Sequence, residues 1–171
     1  MHTLTLRQSV DLINDCDGVE DSAFRESRYQ SARVLTQLGI VSPVGTVTRG
    51  QTARFNTESV CTIAFALALY DFGFERPMVY DLLKTKAAKA CLADVVQDVQ
   101  RGWATDIVLE VGRLNGRSEP YRLLGSAPSG AAYAPVGRSP IIDSQTAHIA
   151  LTRFDASGIL FPIIAAFGSV A

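Results

Sequence analysis

The chain has 171 residues, of which 47% are hydrophobic, and its 16 basic and 17 acidic side chains give a formal net charge of -1. This length allows one domain or two small ones, and the composition excludes an intrinsically disordered chain. A charge so close to neutral argues against indiscriminate polyanion binding, although it leaves room for a localised basic patch.

The expected location is the cytoplasm. No apolar run reaches the roughly 18–20 residues that span a bilayer, and the first residues lack the basic-then-apolar order of a signal peptide. The three cysteines, Cys16, Cys61 and Cys91, form no Cys-x-x-Cys pair, so neither a disulfide framework nor a zinc finger is expected. Cys61 stands in an apolar helical run and is predicted to be a small core residue.

Two helices are predicted at the start of the chain. The segment Thr5-Leu6-Arg7-Gln8 has the form of a capping box, and the helix after it should end between Asp15 and Gly18. Asp21 or Ser22 can cap the second helix, which Gly39 should stop.

After the second predicted helix, the spacing of the apolar residues changes from a helical to a strand-like pattern. Val44 to Phe55 contains β-branched and aromatic residues on both sides of Arg49-Gly50-Gln51, which predicts a small hairpin. Asn56 or Thr57 should cap a third helix ending at Gly73. Its buried face is expected to comprise Val60, Ile63, Leu67 and Tyr70.

Two more helices and a small sheet are predicted after Gly73. Pro77 should open a helix that continues to Leu83, and a further helix should cover Ala87 to Arg101. Strands are expected from Ile107 to Val111 and from Tyr121 to Leu124, joined at the turn signal Asn115-Gly116.

The last third of the chain has a less regular pattern of secondary-structure signals. Gly125 to Ser139 reads as a long loop, and Ala147 to Phe154 as another strand. The apolar end, from Gly158 to Phe167, suits a helix, but Pro162 within it indicates a kink or a break.

A basic segment lies within this near-neutral chain. Arg25 to Arg54 contains five arginines and one acid, Glu26. On a helix, Arg28 and Arg33 lie about 140° apart, whereas Tyr29, Gln30 and Arg33 fall closer together. Guanidinium and amide groups can read base edges, so this face suits DNA contact; the alternative is an ordinary solvated helix face.

These pieces, taken in order, resemble the DNA-binding half of MerR-type winged-helix regulators. The resemblance rests on the segments 32–43, 49–60 and 69–74, followed by Val79 and Leu82-Leu83. It departs at Val34-Leu35, where the family has a tyrosine pair, and the family's long dimerisation helix is not visible after Leu83. The resemblance therefore implies a winged helix-turn-helix over residues 1–86 and nothing for the second half.

The resulting expectation is an α+β chain with two domains. Residues 1–86 would bind duplex DNA as a transcriptional regulator, the second helix entering the major groove and the hairpin acting as a wing. Residues 87–171 would form a helix plus a small β-sheet that holds a homodimer. The expected DNA-binding residues are Arg25, Arg28, Tyr29, Gln30, Arg33, Arg49, Gln51 and Arg54.

Two apolar segments predict the dimer surface. One is the stripe of Leu92, Val95, Val96 and Val99, and the other is the C-terminal run of Ile159, Leu160, Ile163, Ile164 and Phe167.

The alternative function is a winged-helix docking module for other proteins. No catalytic residue, metal ligand set or cofactor is predicted, because the chain offers only His2 and His148 as histidines and no Gly-rich phosphate loop.

Overall fold

The computed structural model describes residues 2–48, 50–114, 121–131 and 146–169. It is a mixed α+β protein, with six helices and a three-stranded antiparallel sheet in these ranges. The helices are α1 (Leu6–Cys16), α2 (Ser22–Gln37), α3 (Thr57–Asp71), α4 (Arg76–Leu83), α5 (Lys86–Gln100) and α6 (Ala156–Ser169). The strands are β1 (Thr105–Leu114), β2 (Tyr121–Pro128) and β3 (Thr146–Asp155).

The chain divides into two compact units. The first contains residues 1–84 and 158–171, and the second contains residues 85–157. The boundary after Lys84 lies close to the one expected from the sequence. The C-terminal segment differs, since it belongs to the first unit and not to the second. Its physical reason is packing: the ring of Phe167 meets His2 edge-on, with 5.1 Å between ring centroids.

Local capping fixes where the helices of the first unit begin. Thr5 and Gln8 form the predicted capping box, with reciprocal bonds of 2.9 and 3.2 Å between side chain and backbone. Asp21 caps α2 by accepting from the Phe24 amide, and Asn56 caps α3 by accepting from the Ser59 amide. Gly39 ends α2 at a φ of +67°, a conformation that side-chain-bearing residues reach only with strain.

α3 is the central helix of the first unit. Of the predicted face, Val60, Ile63 and Leu67 are buried and Tyr70 is half-buried. Phe65 and Leu69, outside that face, are also fully buried. Burial on nearly all sides explains why this helix is apolar all round rather than amphipathic. Cys61 is buried as predicted, and burial raises the pKa of its thiol to about 12.

The predicted hairpin is only partly formed. One backbone bond of 2.7 Å joins Val44 to Arg54 at its base, and a second of 3.0 Å joins Gln51 to Thr48 at its tip. The described residues between these points form no β-ladder. Phe55 instead pairs with Leu4 through two backbone bonds, of 3.0 and 2.8 Å, because both side chains are buried there. We call residues 44–55 the loop segment.

The second unit is a helix packed on a sheet of order β2-β1-β3. β2 is longer than predicted, because Gly125 to Pro128 pair with Thr105 to Val108 instead of starting a loop. The predicted turn at Asn115-Gly116 and residues 132–139 of the predicted loop lie outside the described residues. Burial of Leu92, Val95, Val96 and Val99 places the α5 stripe in the core of this unit, so it is not an outward dimer surface.

α6 continues through Pro162 without a break. Proline removes one intrahelical hydrogen bond, so an interior position is normally costly. Here Leu160, Ile163 and Phe167 are all buried, and this apolar stripe stabilises the helix on both sides of the proline. The prediction that these three residues lie on a dimer surface is therefore wrong, because they pack within the chain.

One buried side chain joins three elements of the first unit. Arg28 of α2 is only 4% exposed, and its Nη2 atom lies 2.6 Å from Asp17 Oδ2 and 2.9 Å from Asp71 Oδ2. Its Nη1 atom donates to the side-chain oxygen of Asn14 at 2.9 Å. Asn14 belongs to α1, Asp17 caps the C-terminus of α1, and Asp71 ends α3. We call these four residues the Arg28 cluster.

Removing the guanidinium from this cluster should destabilise the protein strongly. Arg28→Ala leaves Asn14 and two carboxylates without their shared donor, which typically costs about 3 kcal/mol in the free energy of unfolding. Arg33→Ala on the exposed face of the same helix is the matched control and should change it by less than about 0.5 kcal/mol. Urea unfolding of both variants measures the difference, and equal stabilities would show that the cluster does not hold the helices together.

Candidate nucleic-acid interface

The exposed face of α2 carries a chain of polar contacts that continues onto α1. Arg7 at the start of α1 pairs with Glu26 at 2.9 Å, and Glu26 accepts from the Gln30 amide at 2.6 Å. Gln30 in turn accepts from Arg33 Nη1 at 3.0 Å. The Arg7 guanidinium also lies over the ring of Tyr29, 3.6 Å from its centroid. We call these five residues the α2 strip.

The α2 strip contains three of the residues predicted for DNA binding. Gln30 and Arg33 are exposed, and Tyr29 is half-buried beneath Arg7. Arg7 and Glu26 were not among the predicted site residues. A signal for them existed, since opposite charges on the exposed faces of two consecutive helices can pair, but sequence alone does not give the rotation of each helix.

Two residues that were predicted to bind DNA, Arg25 and Arg28, are not part of this surface. Arg28 lies in the buried cluster described above, so its guanidinium faces the core. Arg25 pairs with Asp15 at 2.8 Å and Asp11 at 3.6 Å, and it donates to the Val19 carbonyl at 2.9 Å. The bond to Asp15 raises the pKa of Arg25 further above its ordinary value. Both arginines therefore tie α2 to neighbouring elements.

The net positive charge of the segment from Arg25 to Arg54 is therefore lower in the folded protein than the sequence count indicates. Four aspartates from outside that segment neutralise two of its arginines: Asp11, Asp15, Asp17 and Asp71. Arg33 and Arg54 remain exposed, and among the described residues neither forms an ion pair. Within the α2 strip itself, Arg7, Glu26 and Arg33 sum to one positive charge.

The loop segment contributes the remaining predicted residues. Arg54 and Gln51 are exposed, and the Gln51 amide donates to the Thr48 carbonyl at the tip. Arg49 lies outside the described residues. Gly50 has a φ of +89°, so the tip depends on a backbone conformation that favours glycine.

Metal-ligating side chains and thiols are the other reactive groups of the described chain. No group of three or more potential metal-ligating side chains occurs there. Burial raises the pKa of Cys91 to about 11, which keeps this thiol protonated near neutral pH. Of the described helices, none is both long and apolar enough to cross a bilayer.

Comparison with known proteins identifies no family. The chain matches no protein-family model, and a search of curated proteins finds nothing significantly similar. The resemblance to MerR-type regulators therefore rests on the motifs and on the order of the elements that carry them.

Replacing Gly50 tests whether the loop segment is surface structure. Gly50→Val forces a β-branched residue into a left-handed conformation and should deform the tip at a cost of about 1–2 kcal/mol. Leu67→Ala in the core of α3 is the comparison, with an expected loss of about 2–5 kcal/mol. Thermal unfolding measures both. A loss for Gly50→Val as large as that for Leu67→Ala would make the loop segment part of the core.

Proposed function

We propose that this chain is a sequence-specific double-stranded DNA-binding protein that acts as a transcriptional regulator in the cytoplasm. In this proposal the first unit is a MerR-like winged helix-turn-helix. α2 enters the major groove, and the loop segment, acting as the wing, holds the flanking backbone. The order of the elements and the motif resemblance support the proposal, and the α2 strip is the observation that carries it.

The chemistry of the α2 strip suits base recognition. An arginine guanidinium can donate two bonds to guanine, a glutamine amide can pair with adenine, and a glutamate can accept from cytosine. Arg33, Gln30 and Glu26 supply one group of each kind, at consecutive positions of a single helix face. A surface built only for solubility has no need for three such different groups in contact.

The contacts within the α2 strip restrict the conformations of its side chains in the free protein, and on DNA these bonds are exchanged for bonds to base edges. Glu26 accepts from Arg7 and from Gln30, and these bonds lower the pKa of its carboxyl group. It therefore stays charged and holds Gln30 in place, while Gln30 positions Arg33. Side chains that are ordered before binding lose less conformational entropy on DNA, which favours specific contact.

The test is a set of duplexes selected from a random pool, bound by the wild type and by single variants. Arg33→Ala should weaken binding to the selected site by about 1–3 kcal/mol if Arg33 reads a base, and relax the sequence preference at one position. Arg101→Ala removes the same charge from the exposed end of α5 and is the matched control. It should change the affinity little.

Two results would contradict the assignment of the α2 strip. One is unchanged affinity and selectivity of a Gln30→Ala, Arg33→Ala double variant that keeps the wild-type melting temperature. The other is an equal loss from Arg101→Ala, since that would indicate a nonspecific charge effect. Arg28 is unsuitable for this test, because its removal should destabilise the fold.

The proposal includes a homodimer formed through the second half of the chain, and α6 provides the surface for it. This helix has no charged residue, and the side opposite its buried stripe exposes Phe161, Pro162 and Ala165. Phe161 is 56% exposed. A two-fold dimer would carry two copies of α2, and an inverted-repeat operator requires two such copies.

A charge on this face should separate the copies. Phe161→Arg places a guanidinium in the proposed dimer contact, so light scattering at micromolar concentration should show a monomer. Leu38→Arg, at a leucine that follows α2 and is 55% exposed, is the control and should leave the dimer intact. Truncation after Ser157 is a poorer test, because it also removes the buried Leu160, Ile163 and Phe167. A wild-type monomer, both free and on its selected site, would contradict the dimer proposal.

The competing function is a winged-helix module that docks on other proteins. The pairing of Arg25 and Arg28 with aspartates and the exposed face of α6 favour it. A salt titration on random duplex DNA separates the two functions. A regulator should bind more weakly as salt rises, in proportion to the phosphates it contacts, whereas a docking module should hardly bind at any salt concentration.

A further inference from the structure

A cleft opens beside the Arg28 cluster within the first unit. Its volume is about 310 Å³, at the lower end of the range for small-molecule sites. Asp17, Arg28 and Asp71 line its polar side. Ala68, Phe72 and Ile159 are among the apolar residues of its walls. The cleft therefore combines a charged floor with apolar sides, and the DNA-binding proposal uses neither.

The floor carries an unbalanced charge. Both aspartates contact the same nitrogen of Arg28, so one positive charge faces two negative ones and the three residues sum to -1. Burial raises the pKa of the Asp71 carboxyl group above its ordinary value, despite the opposing effect of Arg28. A carboxylate whose ionised form is disfavoured by burial gains from a further cation.

The polar groups of the cluster are also incompletely satisfied. Within the described chain, Arg28 Nε and Asn14 Nδ2 are buried without a hydrogen-bond partner. Unsatisfied buried donors are rare in folded proteins and reduce the net stabilisation that such a cluster gives. Both groups are buried donors, which a cation cannot satisfy, so the part of the cluster that attracts a cation is the pair of carboxylates.

The two aspartate side chains are far more exposed than the guanidinium between them. The side chains of Asp17 and Asp71 are 37% and 40% exposed, whereas Arg28 is 4% exposed. A molecule entering the cleft therefore meets carboxylate oxygens before it meets the guanidinium. Phe72 is 64% exposed, and its aromatic ring can attract a cation as well as cover an apolar group.

We propose that this cleft binds a small organic monocation, with its ammonium group on Asp17 and Asp71 and its apolar body against the walls formed by Ala68, Phe72 and Ile159. One added positive charge makes the floor neutral, which an anion or a second cation would not do. The volume suits a molecule of one ring and a short chain. Binding here does not depend on whether α2 contacts DNA.

Three probes of nearly equal shape test the charge that the cleft selects. They are 2-phenylethylammonium, 2-phenylethanol and 3-phenylpropanoate, titrated calorimetrically into the full chain at neutral pH. The ammonium should bind at least about tenfold more tightly than the alcohol, and the carboxylate should bind least. Equal or tighter binding of the carboxylate, or no binding of the ammonium, would overturn the proposal.

Two variants locate the binding. Ala68→Leu fills the cleft from the half-buried side of α3 and should weaken ammonium binding at least tenfold, whereas Ala87→Leu at an exposed position of α5 should not. Asp17→Asn keeps an acceptor for Arg28 but removes one charge, so it should reduce the preference for ammonium over alcohol. Melting temperatures verify that each variant is folded. Full binding by a folded Ala68→Leu protein would place the site elsewhere and overturn the proposal.

Discussion

The buried guanidinium of Arg28 is the constraint on which the first unit depends. Moving an arginine into a protein interior is costly, so the side chain must keep its acceptors, and these come from the end of α1 and the end of α3. This requirement fixes how α2 is rotated about its own axis. Gln30 lies about 200° further round the helix and Arg33 about 140° from Arg28, so an inward Arg28 turns both towards solvent. A residue whose guanidinium is buried thus determines which side chains of α2 are exposed.

The parts of the fold that sequence predicts well are those decided by neighbouring residues. Thr5 with Gln8, Asp21 and Asn56 each satisfy backbone amides within three positions, so the starts of α1, α2 and α3 follow from local chemistry. The end of α2 follows in the same way from Gly39. Strand β2 shows the limit of such reasoning: its last four residues look like a loop and become a strand only because β1 lies beside them.

The candidate site was harder to predict, because its electrostatics are set by distant residues. Asp71 is 43 positions from Arg28, and nothing in the local pattern pairs them. The same holds for Arg7 and Glu26, which are 19 positions apart. A count of arginines along a segment therefore overstates the charge available to a ligand. α6 is a similar case, since the packing of its stripe outweighs the penalty of Pro162.

The pairing of Arg25 and Arg28 with aspartates links the two parts of the proposed function. Each phosphate contact contributes about one unit to the slope of log affinity against log salt. Arg33 and Arg54 are the exposed arginines of the predicted site that form no ion pair in the described chain, so one copy would gain little affinity from the DNA backbone. The side chains of a single helix face can read only a few base pairs. Two copies on one site double both contributions, and for this reason a dimer through α6 is the arrangement in which the α2 strip could act as a regulator's DNA-reading surface.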